Sequence, residues 1–116
     1  MKSDEIFIWE HEVRINETDF QGIVNNANYL TYMSHARHKH LQKLGISFNK
    51  MRDDGFDMVL IHSEIDFKDS LINEDEFLVT SKLELFGRIR LMFTQQVIRK
   101  SDQKVMVDAK NILVCI

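Results

Sequence analysis

The stretch Asp19-Phe20-Gln21-Gly22-Ile23-Val24-Asn25-Asn26 puts a carboxylate, a glycine and two side-chain amides directly ahead of a segment with helical spacing. An aspartate needs no partner histidine to act as a nucleophile or as a general base toward water. A helix start turns unpaired N–H groups, and roughly half a positive charge, toward whatever lies before it. Together these groups suit attack on a carbonyl: Asp19 begins it, and helix-start amides near Asn26 hold the oxygen that gains charge. One such donor lowers the barrier by about 2.7–4 kcal/mol in comparable acyl-transfer sites. Gly22 has no Cβ, so an acyl group could approach the backbone closely there. The same residues also suit a purely structural arrangement, with Asp19 shaping an Asx-turn, Asn25 or Asn26 capping the helix and Gly22 serving a tight turn.

Other chemistry-bearing residues carry weaker signals. His35 and His38 are three apart on the helical segment, but His40 points about 160° from His38 and no acid on that segment completes a set, so no metal is expected. His62 and Glu64 share a strand face and suit a surface pair. Arg37 falls near the centre of the helix's apolar arc, where a guanidinium needs a carboxylate or carbonyl; a structural ion pair is the expectation. Tyr29, Tyr32 and Met33 lie on a helical stripe and suit packing before they suit substrate contact.

The elements that must position these groups follow from periodicity. Residues 6–15 alternate, with Phe7, Trp9, Val13 and Ile15 on one side of a half-buried strand. Residues 28–44 have helical spacing that stops at Gly45, with Tyr29, Leu30, Met33, Ala36, Leu41 and Leu44 on one face. A short polar helix is expected at 48–54. Four strands then follow at 58–68, 76–86, 88–100 and 104–116, with connections short enough for hairpins. Val59, Ile61, Ile65 and Phe67 are expected on the inner face of the first of these. Phe77, Val79, Leu83 and Leu85 continue that face, as do Ile89, Leu91, Phe93 and Val97. The fold class is α+β, one long helix wrapped by a five-stranded antiparallel sheet. The outward residues Leu60, Leu78, Met92, Ile98, Ile112 and Val114 are too apolar for a bare surface, so a second subunit is expected to cover them.

Composition sets the bounds. The chain has 116 residues, 44% of them hydrophobic and 28% charged, with a net charge of −3. That fits one domain over 1–116 and gives no general basis for binding nucleic acid. The single cysteine, Cys115, excludes an intrachain disulfide and a cysteine-based zinc site. The N-terminal residues lack the pattern of an export signal and no stretch reaches about 18 apolar residues, so membrane insertion is not expected and a cytoplasmic location is.

The run from Asp19 through Gly22, Asn26 and Asn28-Tyr29, continuing to Tyr32 and Ala36-Arg37, resembles the signature of hotdog-fold acyl-CoA thioesterases of the 4-hydroxybenzoyl-CoA thioesterase type. The resemblance covers nearly the whole chain. It implies hydrolysis of an acyl-CoA or acyl-carrier-protein thioester, with Asp19 as nucleophile or general base, amides around Asn26 as oxyanion donors and no cofactor. It also implies a homodimer or homotetramer with active sites between subunits. Gly22, Tyr29, Arg88 and Arg90 are the expected substrate contacts. Arg88 matches a basic position that meets the CoA phosphates in relatives, and Lys82 and Arg99 are further candidates. Three features depart from the pattern: Ser34 stands where relatives carry an acid, no proline occurs near Ser70, and the chain given ends at Ile116 without a basic tail. These departures leave room for a carrier-protein substrate, or for a non-catalytic protein that binds acyl thioesters. A hydratase using an aspartate–histidine pair ranks lower, because no histidine follows Asp19 at close spacing.

Overall fold

The computed structural model describes residues 5–87 and 89–116, without the Phe48 side chain. Strand β1 (Phe7–Glu12) leads through a short 3-10 turn (Ile15–Glu17) and a loop into helix α1 (Asn26–Lys43). The short helix α2 (Phe48–Asp53) follows. Strands β2 (Met58–Phe67), β3 (Glu76–Phe86), β4 (Arg90–Arg99) and β5 (Val105–Cys115) complete the order. Gly45, at φ +85°, ends α1 as the spacing predicts, because the left-handed conformation there strains any residue with a Cβ.

All pairings are antiparallel, and the strand order is β1-β3-β4-β5-β2. The expected hairpins between β3 and β4 and between β4 and β5 are present. The expected hairpin after β2 is not: residues 68–75 carry the chain from one sheet edge toward the other, so β2 and β3 are not neighbours. The helix lies on one face, where Tyr29, Met33 and Ala36 pack with Val79, Phe77, Val97 and Val107. Further along the sheet, Leu41 packs with Leu83, Leu91, Phe93 and Leu113.

Three expectations about which side chains face inward are corrected. In β2 the register shifts between Leu60 and His62, leaving Ile61 without a partner in a bulge. Leu60, paired with buried Leu113, therefore turns toward the helix side, whereas Val59 faces away. On α1, Leu30 and Leu44 are exposed while Tyr32 and His40 are buried. His40 fits because its Nδ1 meets Ser81 Oγ at 3.0 Å and its ring stacks on Phe7. Ile15 is exposed rather than part of β1, since the strand ends at Glu12 and the 3-10 turn swings it out.

Candidate active site

Residues 18–24 form a small hairpin. Thr18 and Val24 pair across it, the Asp19 N–H donates to the Ile23 carbonyl at 2.9 Å and the Gly22 N–H donates to the Asp19 carbonyl at 2.9 Å. Gly22 has φ +80°. A Cβ placed there would meet nothing within 4 Å, so the local requirement for glycine is conformational, and open space remains in front of its backbone. Asp19 does make the Asx-turn: its Oδ1 accepts the Gln21 N–H at 2.8 Å. Its side chain remains partly exposed beside a fully projecting Phe20.

The hairpin is fastened beside the start of α1. Asn25 is the N-cap, its side-chain oxygen accepting the Asn28 N–H at 3.1 Å. The Asn26 and Ala27 N–H groups precede any intrahelical acceptor, and the first turn of α1 contains no acid to neutralise its positive end. Val24 and Ile23 tie the other side of the hairpin to Leu71 and Ile72.

The sequence left Asn28, Glu17 and His11 without roles, and the structure gives them one. Asn28 Nδ2 donates to the Glu17 carbonyl at 2.5 Å, joining the helix's first turn to the segment that delivers Asp19. The Glu17 carboxylate accepts the Arg14 N–H at 2.8 Å and lies 3.2 Å from His11 Nε2. Burial pushes the Glu17 carboxyl up, but these partners outweigh it and the carboxyl lies below its ordinary value. The place of Asn28 within the Asn-Ala-Asn-Tyr run was the available signal.

The remaining expected residues are dispersed. Tyr29 is buried in the core and its hydroxyl accepts the Leu71 N–H at 2.8 Å, so in the protomer it packs and does not face a ligand. Burial raises its pKa above the ordinary tyrosine value. Tyr32 is buried beside it, and burial together with the Glu17 charge pushes its hydroxyl well up. Arg90 opens β4 at the Phe86 end of β3, whereas the Asp19 hairpin joins the sheet near the Glu76 end. Ten strand residues span about 33 Å, so one protomer does not bring Arg90 to Asp19. Arg88 lies outside the described residues. Arg99 is held by Asp102 at 2.6 and 3.0 Å and is not free for phosphate.

Arg37 corrects another expectation. It makes no ion pair among the described residues; its Nη1 donates to the neutral Gln95 Oε1 at 3.0 Å. Burial alone pulls its pKa down. Arg37 lines a groove of about 800 Å³ between α1 and β2, with Leu30, Ser34, Leu60, Ser63 and Asn111 also in its walls. Asp19 does not line that groove within the protomer.

Residues 13–116 match the model of the thioesterase-like superfamily. The chain belongs to that superfamily. It is 33% identical over 108 residues to a putative esterase of Aquifex aeolicus, covering 93% of this chain and 84% of the relative. It is 28% identical over 108 residues to a chloroplastic acyl-acyl carrier protein thioesterase of Arabidopsis thaliana, covering 90% of this chain and 57% of that one. The crystal structure of Slr0204, a 1,4-dihydroxy-2-naphthoyl-CoA thioesterase from Synechocystis, superposes with a TM-score of 0.91 at 23% identity, covering 97% of this chain and 82% of that one. At that identity the likeness speaks to the fold, and the chain has the hotdog architecture: one main helix on a five-stranded antiparallel sheet.

Proposed function

We propose that this thioesterase-superfamily chain hydrolyses acyl thioesters of CoA or acyl carrier protein, with Asp19 starting the attack. The observation that carries the reading is the fastening of the Asp19 hairpin, through Asn28 and Glu17, beside a helix start whose first turn holds no acid. In the water route, the Asp19 carboxylate takes a proton as the water oxygen bonds to the thioester carbon. The carbonyl oxygen gains the charge and accepts hydrogen bonds from the Asn26 and Ala27 N–H groups. Collapse of that intermediate breaks the carbon–sulfur bond, and the thiolate leaves with the proton Asp19 held. In the nucleophilic route the Asp19 carboxylate itself bonds to the carbon, the carbon–sulfur bond breaks to release the thiolate, and water then opens the resulting mixed anhydride to give the free acid and regenerate Asp19.

The complete site is read as shared between two copies. Strand β2 is a sheet edge carrying Val59, Leu60, Ile61 and Phe67, each more than a third exposed. An exposed apolar edge invites pairing with another strand. Antiparallel pairing of two β2 edges would bring the Met58 end of one copy to the Phe67 end of the other, and with it Arg90 of the partner subunit toward the Asp19 end. The partner would also close the groove beside α1, forming the acyl pocket.

Release of free thiol from a panel of acyl-CoAs tests the activity, and Asp19→Asn is expected to lower turnover by at least about 10²-fold with the oligomer intact. Equal rates for both proteins remove Asp19 from the mechanism. Incorporation of labelled oxygen from water into Asp19 in a single turnover separates the two routes. A second reading, a binder without hydrolysis, is favoured by the Asx-turn that engages one Asp19 oxygen. It requires acyl-CoA binding with no thiol released.

A further inference from the structure

The groove between α1 and β2 has largely apolar walls and a polar floor, and the side chains of that floor are richer in donors than in acceptors. Ser63 Oγ donates to Asn111 Oδ1 at 2.5 Å, and Asn111 Nδ2 donates to Gln95 Oε1 at 2.9 Å. Arg37 Nη1 reaches the same Gln95 oxygen at 3.0 Å, while Gln95 Nε2 donates to the Met33 carbonyl at 3.0 Å. Each side-chain oxygen of the two amides is thereby engaged, that of Gln95 twice. What remains is donors. A guanidinium carries five N–H groups, and among the described residues one contact from it to a side-chain acceptor is formed.

The charge is unbalanced in the same way. Arg37 is 8% exposed, and no carboxylate pairs with it among the described residues. A largely desolvated cation held by one neutral amide is costly unless water or a ligand in the groove supplies further acceptors. An anionic group entering from the groove would do so, and a carboxylate matches the guanidinium's forked donors.

We infer that the groove selects acyl groups that end in a carboxylate, which Arg37 receives at the far end from the thioester. The assignment rests on the thioesterase reading for the direction in which the substrate lies. Arg37 is eleven residues beyond Asn26, about 16 Å along the helix, and helical side chains lean back toward the N-terminus. That leaves about 10 Å between the oxyanion donors and the guanidinium, which suits an extended acyl chain of about eight carbons. Leu30 and Leu60 flank the path, and neither presents a charge to the chain between its two polar ends.

The test uses the full-length protein and two independent readouts. Calorimetric titration compares the mono-N-methylamide of the eight-carbon α,ω-dicarboxylate with the N-methylamides of octanoate, 8-hydroxyoctanoate and 8-aminooctanoate, the uncharged amide standing where the thioester would. The dicarboxylate's monoamide is expected to bind at least about tenfold more tightly than the octanoate amide, and the amino amide to bind weakest. The ratio of kcat/KM for 7-carboxyheptanoyl-CoA over octanoyl-CoA is expected to exceed about ten and to fall by that factor in Arg37→Met. Equal affinity for the four amides overturns the inference, and this comparison holds for the wild-type chain even if Arg37→Met fails to fold. Dissociation of the oligomer by Arg37→Met, with no preference for the dicarboxylate, assigns the guanidinium to a partner's carboxylate and also overturns it. Absence of thiol release from every thioester, with dicarboxylate binding retained, sinks the hydrolase reading but not the anion site.

Discussion

Removing the Asn28 side chain tests whether the carboxylate hairpin is held in place by the helix it serves. Asn28 Nδ2 meets the Glu17 carbonyl at 2.5 Å, two residues before Asp19 and two after Asn26. Asn28→Ala forfeits that bond and leaves a partly buried carbonyl without its donor. Such a loss costs about 1–2 kcal/mol, which in a domain of this size lowers Tm by about 5 °C. Well below that transition, the larger effect is expected on chemistry: the hairpin loses its tie to the first turn, and small misplacements of a reacting group cost about 10²-fold. The expected result is therefore a fall in kcat of tenfold or more with KM changed far less, measured as thiol release at a temperature where both proteins are folded. Asn28→Asp sharpens the test, since it keeps the shape but sets an acceptor against the Glu17 carbonyl; it is expected to be worse than alanine. Wild-type kcat in either variant would refute the idea that this bond positions Asp19.

Three further outcomes follow from the geometry. Gln95 is fully buried and bonds Arg37, Asn111 and the Met33 carbonyl, so Gln95→Leu strands three polar groups and is expected to cost about 3 kcal/mol or more, read from the urea midpoint. Burial, assisted by Lys43, holds the His40 pKa below 6.5 in the folded chain. The unfolded state then binds more protons just below pH 6.5, so stability is fully present above that pH and declines as pH falls through the window beneath it. Unfolding midpoints taken between about pH 8 and about pH 5 should show this decline, with a shallower slope in His40→Gln. Ile61→Lys places a charge in the bulge of the exposed β2 edge. It is expected to shift sedimentation toward monomer and to abolish thiol release together; a fully active monomer would separate activity from assembly.

The parts of the fold legible in sequence are those where pattern and environment agree. Strands β3, β4 and β5 alternate between a core face and a half-buried face, so period two fixes their limits to within a residue or two. The Asx-turn, the tight turn at Gly22 and the N-cap beside Asp19 were legible because glycine and asparagine carry local backbone meaning. The limits of strand β2 were legible too, but its faces were not, because its bulge at Ile61 has no glycine to mark it and one unpaired residue exchanges the two faces of Val59 and Leu60. Nor could residues 68–75 reveal that the chain crosses the sheet, since connection length does not say which strands pair. On α1 the rule failed in both directions, with Leu30 outside and His40 inside.

Two of those failures meet: Leu30 and Leu60 line the same groove as Arg37, which the spacing placed inside but for which it expected an ion pair, and Ser63 and Asn111 join them from the strands opposite. A helix that packed only for stability would exchange these positions, burying the leucine and exposing the guanidinium. Natural sequences depart from local rules most often where function imposes a second requirement. Two leucines facing open space suit an apolar occupant, and a buried cation with no carboxylate partner among the described residues suits an anionic one. A single ligand with an apolar body and a charged end satisfies both, which is why the misplaced residues point to a binding groove more directly than the well-placed ones do.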